Sequence, residues 1–248
     1  MITQLSARWL VSGPARPGAP KLYCFAHGGG SAAEYVRWAR ALTGVELHVV
    51  QLPGRGSRFG EPPLTSMGTL VAALTEQVAF GAPYTFFGHS LGALVAYELA
   101  GALREAGRRL PERLVVSGFP APHLPRTSRG LHLLPDDELL AEVSRLHGGI
   151  PREVLDEPEL RALVAVPLRA DYTIVETYRW GDRPALEVPV TVFGGRDDRV
   201  GEAELAAWQE LTTLPVEVRT FPGGHFYLRE HSAVVLRALA ARLRTPPC

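Results

Sequence analysis

An apolar run, Tyr84-Thr85-Phe86-Phe87, meets Gly88-His89-Ser90-Leu91-Gly92 and continues as Ala93-Leu94-Val95-Ala96-Tyr97-Glu98-Leu99-Ala100. Before the glycines the residues are those of a buried strand; after them they favour a helix. The turn between the two is too tight for ordinary side chains. Gly88 and Gly92 stand where a Cβ would clash with the folded-back chain. Gly-x-Ser-x-Gly between a strand and a helix is the pattern of a nucleophile elbow. Such a turn lifts the serine hydroxyl above a sheet edge, at the positive N-terminus of the next helix. Five residues of this kind recur by chance, so the meaning of Ser90 rests on partners elsewhere.

The rest of the chain alternates in the same way. Strand-like runs cover 21–26, 45–52, 114–118, 188–193 and 216–221, and helical spacing covers 35–42, 67–80, 203–211 and 234–243. This alternation predicts one α/β domain over 1–248, a mostly parallel central sheet with helices on both faces. The rhythm breaks between 120 and 183. Short helices are predicted at Asp136–Leu146, Glu157–Ala165 and Leu168–Tyr178, with prolines and Gly148-Gly149 between them. The excursion is too long for an ordinary connection, and it reads as an inserted helical lid over the strand ends, where ligands bind in open sheets. Leu134, Leu139, Leu140, Leu146, Ile150, Leu160, Leu163 and Val166 are candidates for an acyl pocket, though for most of them packing within the lid is the expected role.

Lys+Arg and Asp+Glu balance at 26 each, so bulk charge gives no reason to expect nucleic acid or an anionic membrane as partner. The two cysteines, Cys24 and Cys248, make neither a disulfide framework nor a metal-binding spacing. Cys24, in a strand-like run, is expected to be a buried, inert thiol. No secretory signal pattern stands at Met1-Ile2-Thr3-Gln4, and no apolar run reaches the ~20 residues of a membrane span. A cytoplasmic protein without metal or cofactor is expected.

A serine hydroxyl needs a base within hydrogen-bond reach and an acid to orient that base. The loop after the strand 188–193 carries Asp197, and the loop after 216–221 carries His225 in Pro222-Gly223-Gly224-His225-Phe226. Both follow core strands at the same sheet edge as Ser90. The order Ser, Asp, His is that of α/β-hydrolases. Asp197, three residues before Val200, is preferred as the acid, with its neighbour Asp198 as fallback. His89 is expected to be structural, and His27 to shape its loop. The oxyanion donors are expected at the Leu91 N–H and in His27-Gly28-Gly29-Gly30, the loop after an early strand. That loop, read alone, is equally a plain flexible turn. Arg55 and Arg58 read as solvated surface charges.

Several segments together resemble one family, the type II thioesterases that accompany polyketide and nonribosomal peptide synthases. They are Phe25-Ala26-His27-Gly28-Gly29-Gly30-Ser31-Ala32, Leu52-Pro53-Gly54-Arg55 with Glu61-Pro62, Gly88-His89-Ser90-Leu91-Gly92-Ala93, Leu168-Arg169-Ala170-Asp171-Tyr172 with Glu176-Thr177-Tyr178, and Phe221-Pro222-Gly223-Gly224-His225-Phe226. The resemblance implies an α/β-hydrolase fold with Ser90, Asp197 and His225 as triad and Gly28 and Leu91 as oxyanion donors. It implies hydrolysis of acyl thioesters on the phosphopantetheine arm of an acyl- or peptidyl-carrier protein, in editing or release during antibiotic biosynthesis, by a monomer. Gly28 stands where the family often has Ala, and Ala26 where it often has Pro, a difference of loop stiffness more than of chemistry. The synthase-borne releasing domains often take their acid from the strand before the lid. Here that strand ends Ser117-Gly118-Phe119-Pro120 without a carboxylate, and the chain begins at a methionine; both favour the free-standing form. A general carboxylesterase or lipase on small oxygen esters is the rival enzyme, and a non-catalytic binding module on the same fold is the rival of another class.

Overall fold

The computed structural model describes residues 2–244; Met1 and the tail Thr245–Cys248, including Cys248, lie outside the described residues. The chain begins with α1 (Ile2–Trp9), β1 (Leu10–Ser12), β2 (Lys21–Phe25), α2 (Ala32–Tyr35), β3 (Glu46–Val50) and α3 (Met67–Gln77). It continues through β4 (Tyr84–His89), α4 (Leu91–Glu105) and β5 (Arg113–Ser117). Three helices follow, α5 (Asp136–His147), α6 (Arg152–Asp156) and α7 (Pro158–Thr177), and then β6 (Val190–Gly195), α8 (Glu202–Ala206), β7 (Glu217–Phe221), α9 (Tyr227–Glu230) and α10 (Ser232–Arg244).

The strands form one seven-stranded sheet in the order β1-β3-β2-β4-β5-β6-β7. All neighbours are parallel except β1, which runs antiparallel to β3. Side chains of a strand alternate between its faces, and here both faces are covered. Tyr23, Phe25, Phe86, Val116 and Val192 pack with residues of α3 and α4. Leu22, Cys24, Phe87, Val115 and Phe193 pack on the opposite face with Tyr35, Trp38, Val235 and Leu239. This double burial is why the strands are nearly unbroken apolar runs in the sequence. Cys24 is fully buried, and burial pushes its thiol well above the ordinary thiol range. Among the described residues no helix is long and apolar enough to cross a membrane.

Two elements differ from the sequence reading. The edge strand β1 spans three residues, too few for any periodicity, and forms because β3 leaves an edge open to it. The helices expected on either side of Pro167 are one continuous 20-residue helix, α7. Pro167 has no N–H to donate to the carbonyl of Leu163, a residue on the exposed side of the helix. Ala165, Leu168 and Ile174 bury the other side and hold the helix together. Leu139, Leu140, Val143, Leu146, Ala165 and Leu168 form a small core of their own between α5 and α7.

Candidate active site

At the elbow the sequence logic is visible atom by atom. A Cβ on Gly88 would lie 2.0 Å from the Gly92 carbonyl oxygen, and one on Gly92 would lie 2.1 Å from the carbonyl oxygen of Phe25 on β2. Ser90 has φ 54° and ψ −122°, and among the described residues it is the one non-glycine at positive φ. Strain of this kind costs about 1–3 kcal/mol and persists where the surroundings over-determine it. Here the Ser90 N–H donates to the Ser117 carbonyl at 2.7 Å, and the Ala93 N–H donates to the Ser90 carbonyl at 2.9 Å. His89 underpins the turn. It is fully buried, its Nδ1 lies 2.8 Å from Ser117 Oγ, and that hydroxyl lies 2.5 Å from the Tyr227 hydroxyl. Burial holds the His89 imidazole well below its ordinary pKa, so it stays neutral.

The carboxylate that meets His225 is that of Asp198, the fallback, and not that of Asp197. Asp198 Oδ2 accepts from His225 Nδ1 at 2.9 Å, with its side chain 1% exposed. Its Oδ1 accepts from the Arg199 N–H at 2.7 Å, so both oxygens are fixed. Asp197 is exposed, and its Oδ2 accepts from the Gly223 N–H at 3.2 Å on the outside of the turn. The reason lies after β6. Strand alternation ends at Gly195, and a turn follows in which the Asp198 N–H meets the Gly195 carbonyl at 3.3 Å. That turn swings the second aspartate inward. Counting back from Val200 carries no such information, and the turn-forming Gly194-Gly195 pair is the sequence signal that bears on it. With Asp198 on Nδ1–H, the free nitrogen of His225 is Nε2.

The glycine loop after β2 stands beside the elbow, and His27, Gly28, Ser90, Leu91 and His225 line one cavity of about 320 Å³. Gly29 N–H donates to Asp171 Oδ2 at 2.7 Å and Gly30 N–H to the His27 carbonyl at 2.9 Å, so these two amides are engaged, and Gly28 is the glycine of the loop that lines the cavity. His27 is buried and hydrogen-bonded through Nδ1 to the Tyr35 hydroxyl at 2.8 Å. Burial above all, with Arg229 beside it, lowers its pKa to about 3, which rules it out as a proton carrier near neutral pH. Arg55 and Arg58 are not surface charges. Both are buried, Arg55 in a two-pronged ion pair with Asp171 and Arg58 on Glu61 at 2.7 Å. Their partners lie far along the chain or in a turn, so local composition could not reveal them.

Of the apolar residues named for a pocket, Leu146 lines the cavity, joined by Leu131, Val143, Tyr172 and Val175. Leu139 and Leu140 pack inside the helical segment instead, and Leu160, Leu163 and Val166 are exposed. His147, the last residue of α5, lies against His225 with ring centroids 4.5 Å apart. Burial, and then the charge of His225, lower its pKa to about 4. Among the described residues, His147, Asp198 and His225 are the set whose donor atoms lie close enough to hold a metal ion, within 4.8 Å of one another. Two of the three are already bonded to each other.

The buried imidazoles have a consequence for stability. In the unfolded chain His27 and His147 titrate near 6.5, whereas in the fold they resist protonation down to about 3 and about 4. Below pH 6.5 the unfolded chain therefore binds protons that the folded chain refuses, and stability falls with falling pH. The melting temperature is expected to be level between pH 8 and 7 and to drop from pH 6.5 to 5, above the carboxylate range. His27→Gln is expected to flatten that slope; an unchanged slope refutes the assignment.

A sequence model of the thioesterase-domain family matches residues 20–243. The gramicidin S biosynthesis protein GrsT of Aneurinibacillus migulanus is 34% identical over 242 residues, covering 96% of this chain and 94% of that protein. Thioesterase PikA5 of Streptomyces venezuelae is 40% identical over 250 residues, covering 94% of this chain and 88% of PikA5. Among solved structures, the type II thioesterase BorB from the borrelidin biosynthetic cluster superposes with a TM-score of 0.87 at 41% identity, over 95% of this chain and 98% of BorB.

Proposed function

This chain belongs to the thioesterase family and is a hydrolase of thioesters on the α/β-hydrolase fold, and we propose that it frees acyl groups from the phosphopantetheine arm of carrier proteins in a polyketide or nonribosomal peptide pathway. Ser90 is the nucleophile, His225 the base and Asp198 the acid. The observation that carries this reading is the bond between Asp198 and His225 Nδ1, formed at the cavity that Ser90 lines. His225 Nε2 takes the Ser90 proton as Oγ attacks the thioester carbon. The Gly28 and Leu91 N–H groups hold the oxyanion, and loss of either donor costs on the order of 3 kcal/mol in the barrier. The C–S bond then breaks, and the leaving thiol takes the proton from His225. Water, deprotonated by His225, attacks the acyl-enzyme and restores Ser90. The segment 120–183 acts as a lid whose apolar residues receive the acyl chain. Arg126, Arg129, Arg179 and Arg199 line the same cavity, which suits it to the phosphate of a pantetheine arm.

Rates on three substrates sharing one acyl group test the reading. We expect kcat/KM on the acyl-carrier protein to exceed that on the matching p-nitrophenyl ester by about tenfold or more, with acyl-CoA between them. Equal or faster ester cleavage would make the protein a general carboxylesterase. Absence of turnover together with no labelling by a serine-reactive phosphonate would make it a binding module.

A further inference from the structure

We propose that Asp171, carried on α7, is a positioning residue that sets the oxyanion loop, so that the donor geometry at Gly28 depends on the docking of this helix. The inference rests on the assignment of Ser90 as nucleophile and Gly28 as donor. Three segments far apart in the sequence meet at this one carboxylate, which is 1% exposed. Asp171 Oδ1 accepts from Arg55 Nη2 at 2.7 Å, and Oδ2 accepts from Arg55 Nη1 and from the Gly29 N–H, the latter at 2.7 Å. Arg55 Nη1 also reaches the Gly30 carbonyl at 3.4 Å. The loop after β3, the loop after β2 and the middle of α7 are thereby tied into one buried, charge-balanced unit.

A run of three glycines has no conformation of its own, because each residue reaches both halves of backbone space at similar energy. Something outside the loop must choose one arrangement before the oxyanion forms, since donors that reorganise during the reaction lose most of their advantage. Bonding the Gly29 N–H fixes the peptide plane that joins Gly28 to Gly29, and with it the ψ of the donor residue. Leu168, one turn before Asp171 on the same side of α7, closes the loop from outside. A Cβ on Gly29, at φ +74°, would lie 2.9 Å from its Cδ1. A carboxylate held by a forked guanidinium makes a stiffer clamp than a neutral acceptor, because two parallel bonds fix its plane. The same helix contributes Tyr172 and Val175 to the cavity wall, so the wall of the acyl cavity and the oxyanion donors share one support.

The test measures acylation of Ser90, by the pre-steady-state burst with a p-nitrophenyl ester and by the rate of phosphonate labelling, so that it does not depend on thioester preference. Asp171→Ala alone would strand the buried Arg55 charge and unfold the protein for that reason. The decisive variants are Asp171→Asn, nearly isosteric and still able to accept from Gly29, and the pair Arg55→Met with Asp171→Leu, which removes both charges together. Both are assayed at temperatures where circular dichroism shows them folded. We expect the burst rate to fall about tenfold in Asp171→Asn and about a hundredfold in the pair, with KM within about threefold of wild type. A purely structural ion pair would instead leave the burst rate of a folded variant within about twofold, and that result in either variant overturns the proposal. Failure of the wild type itself to label would remove the Ser90 assignment, and this inference with it.

Discussion

Asp198→Asn is expected to lower kcat by on the order of 10⁴-fold, while Asp197→Asn leaves it within about threefold of wild type. The size of the first effect follows from the hydrogen bonds of the Asp198 side chain. Its Oδ1 accepts from the Arg199 N–H at 2.7 Å, and its Oδ2 from His225 Nδ1 at 2.9 Å. An asparagine in this place keeps its carbonyl oxygen toward the Arg199 N–H, which directs its amide NH2 at His225. Facing a donor, Nδ1 must become an acceptor, and the imidazole proton moves to Nε2. The base then has no lone pair for the Ser90 proton, although every atom is in place. Asp197 makes one bond from an exposed position, with the Gly223 N–H at 3.2 Å, and an asparagine oxygen retains it. Steady-state kcat of the two variants on one acyl thioester decides between them. A collapse in Asp197→Asn with near-normal Asp198→Asn would return the acid to Asp197.

Ser90→Ala is expected to lower kcat on the same thioester by about 10⁶-fold and to abolish phosphonate labelling. The oxyanion donors and the cavity remain, so binding of the loaded carrier protein is expected to stay within about threefold. Turnover within tenfold of wild type would sink the nucleophile assignment. The same position makes a prediction about stability in the opposite direction. Alanine keeps a Cβ at φ 54° and with it the strain, whereas Ser90→Gly relieves it. Ser90→Gly is therefore expected to raise the melting temperature by about 2–4 °C while being as inactive as the alanine variant. The elbow is a place where the chain holds a backbone geometry against its local preference.

How far the sequence could be read depends on the range of the interactions involved. The parallel sheet was legible because burial on both faces demands unbroken apolar strands, and each of those runs is local. Ser90 and His225 were legible because the glycine turns that hold them are local too. β1 was not, being three residues long and dependent on the free edge of β3. Pro167 argued for a break that the packing of α7 overrides.

The sequence by itself determined the α/β alternation, the strained elbow with its glycines at 88 and 92, and the histidine in the glycine turn after β7, since each follows from steric rules acting within a few residues. The tertiary structure alone decided which of two adjacent aspartates meets His225, because the direction of a side chain after a strand depends on the turn that ends it. It decided also that Arg55 is buried against Asp171, 116 positions away, and not solvated at the surface. A buried ion pair has no local signature: each charge alone reads as surface, and only the fold that brings them together removes both from water.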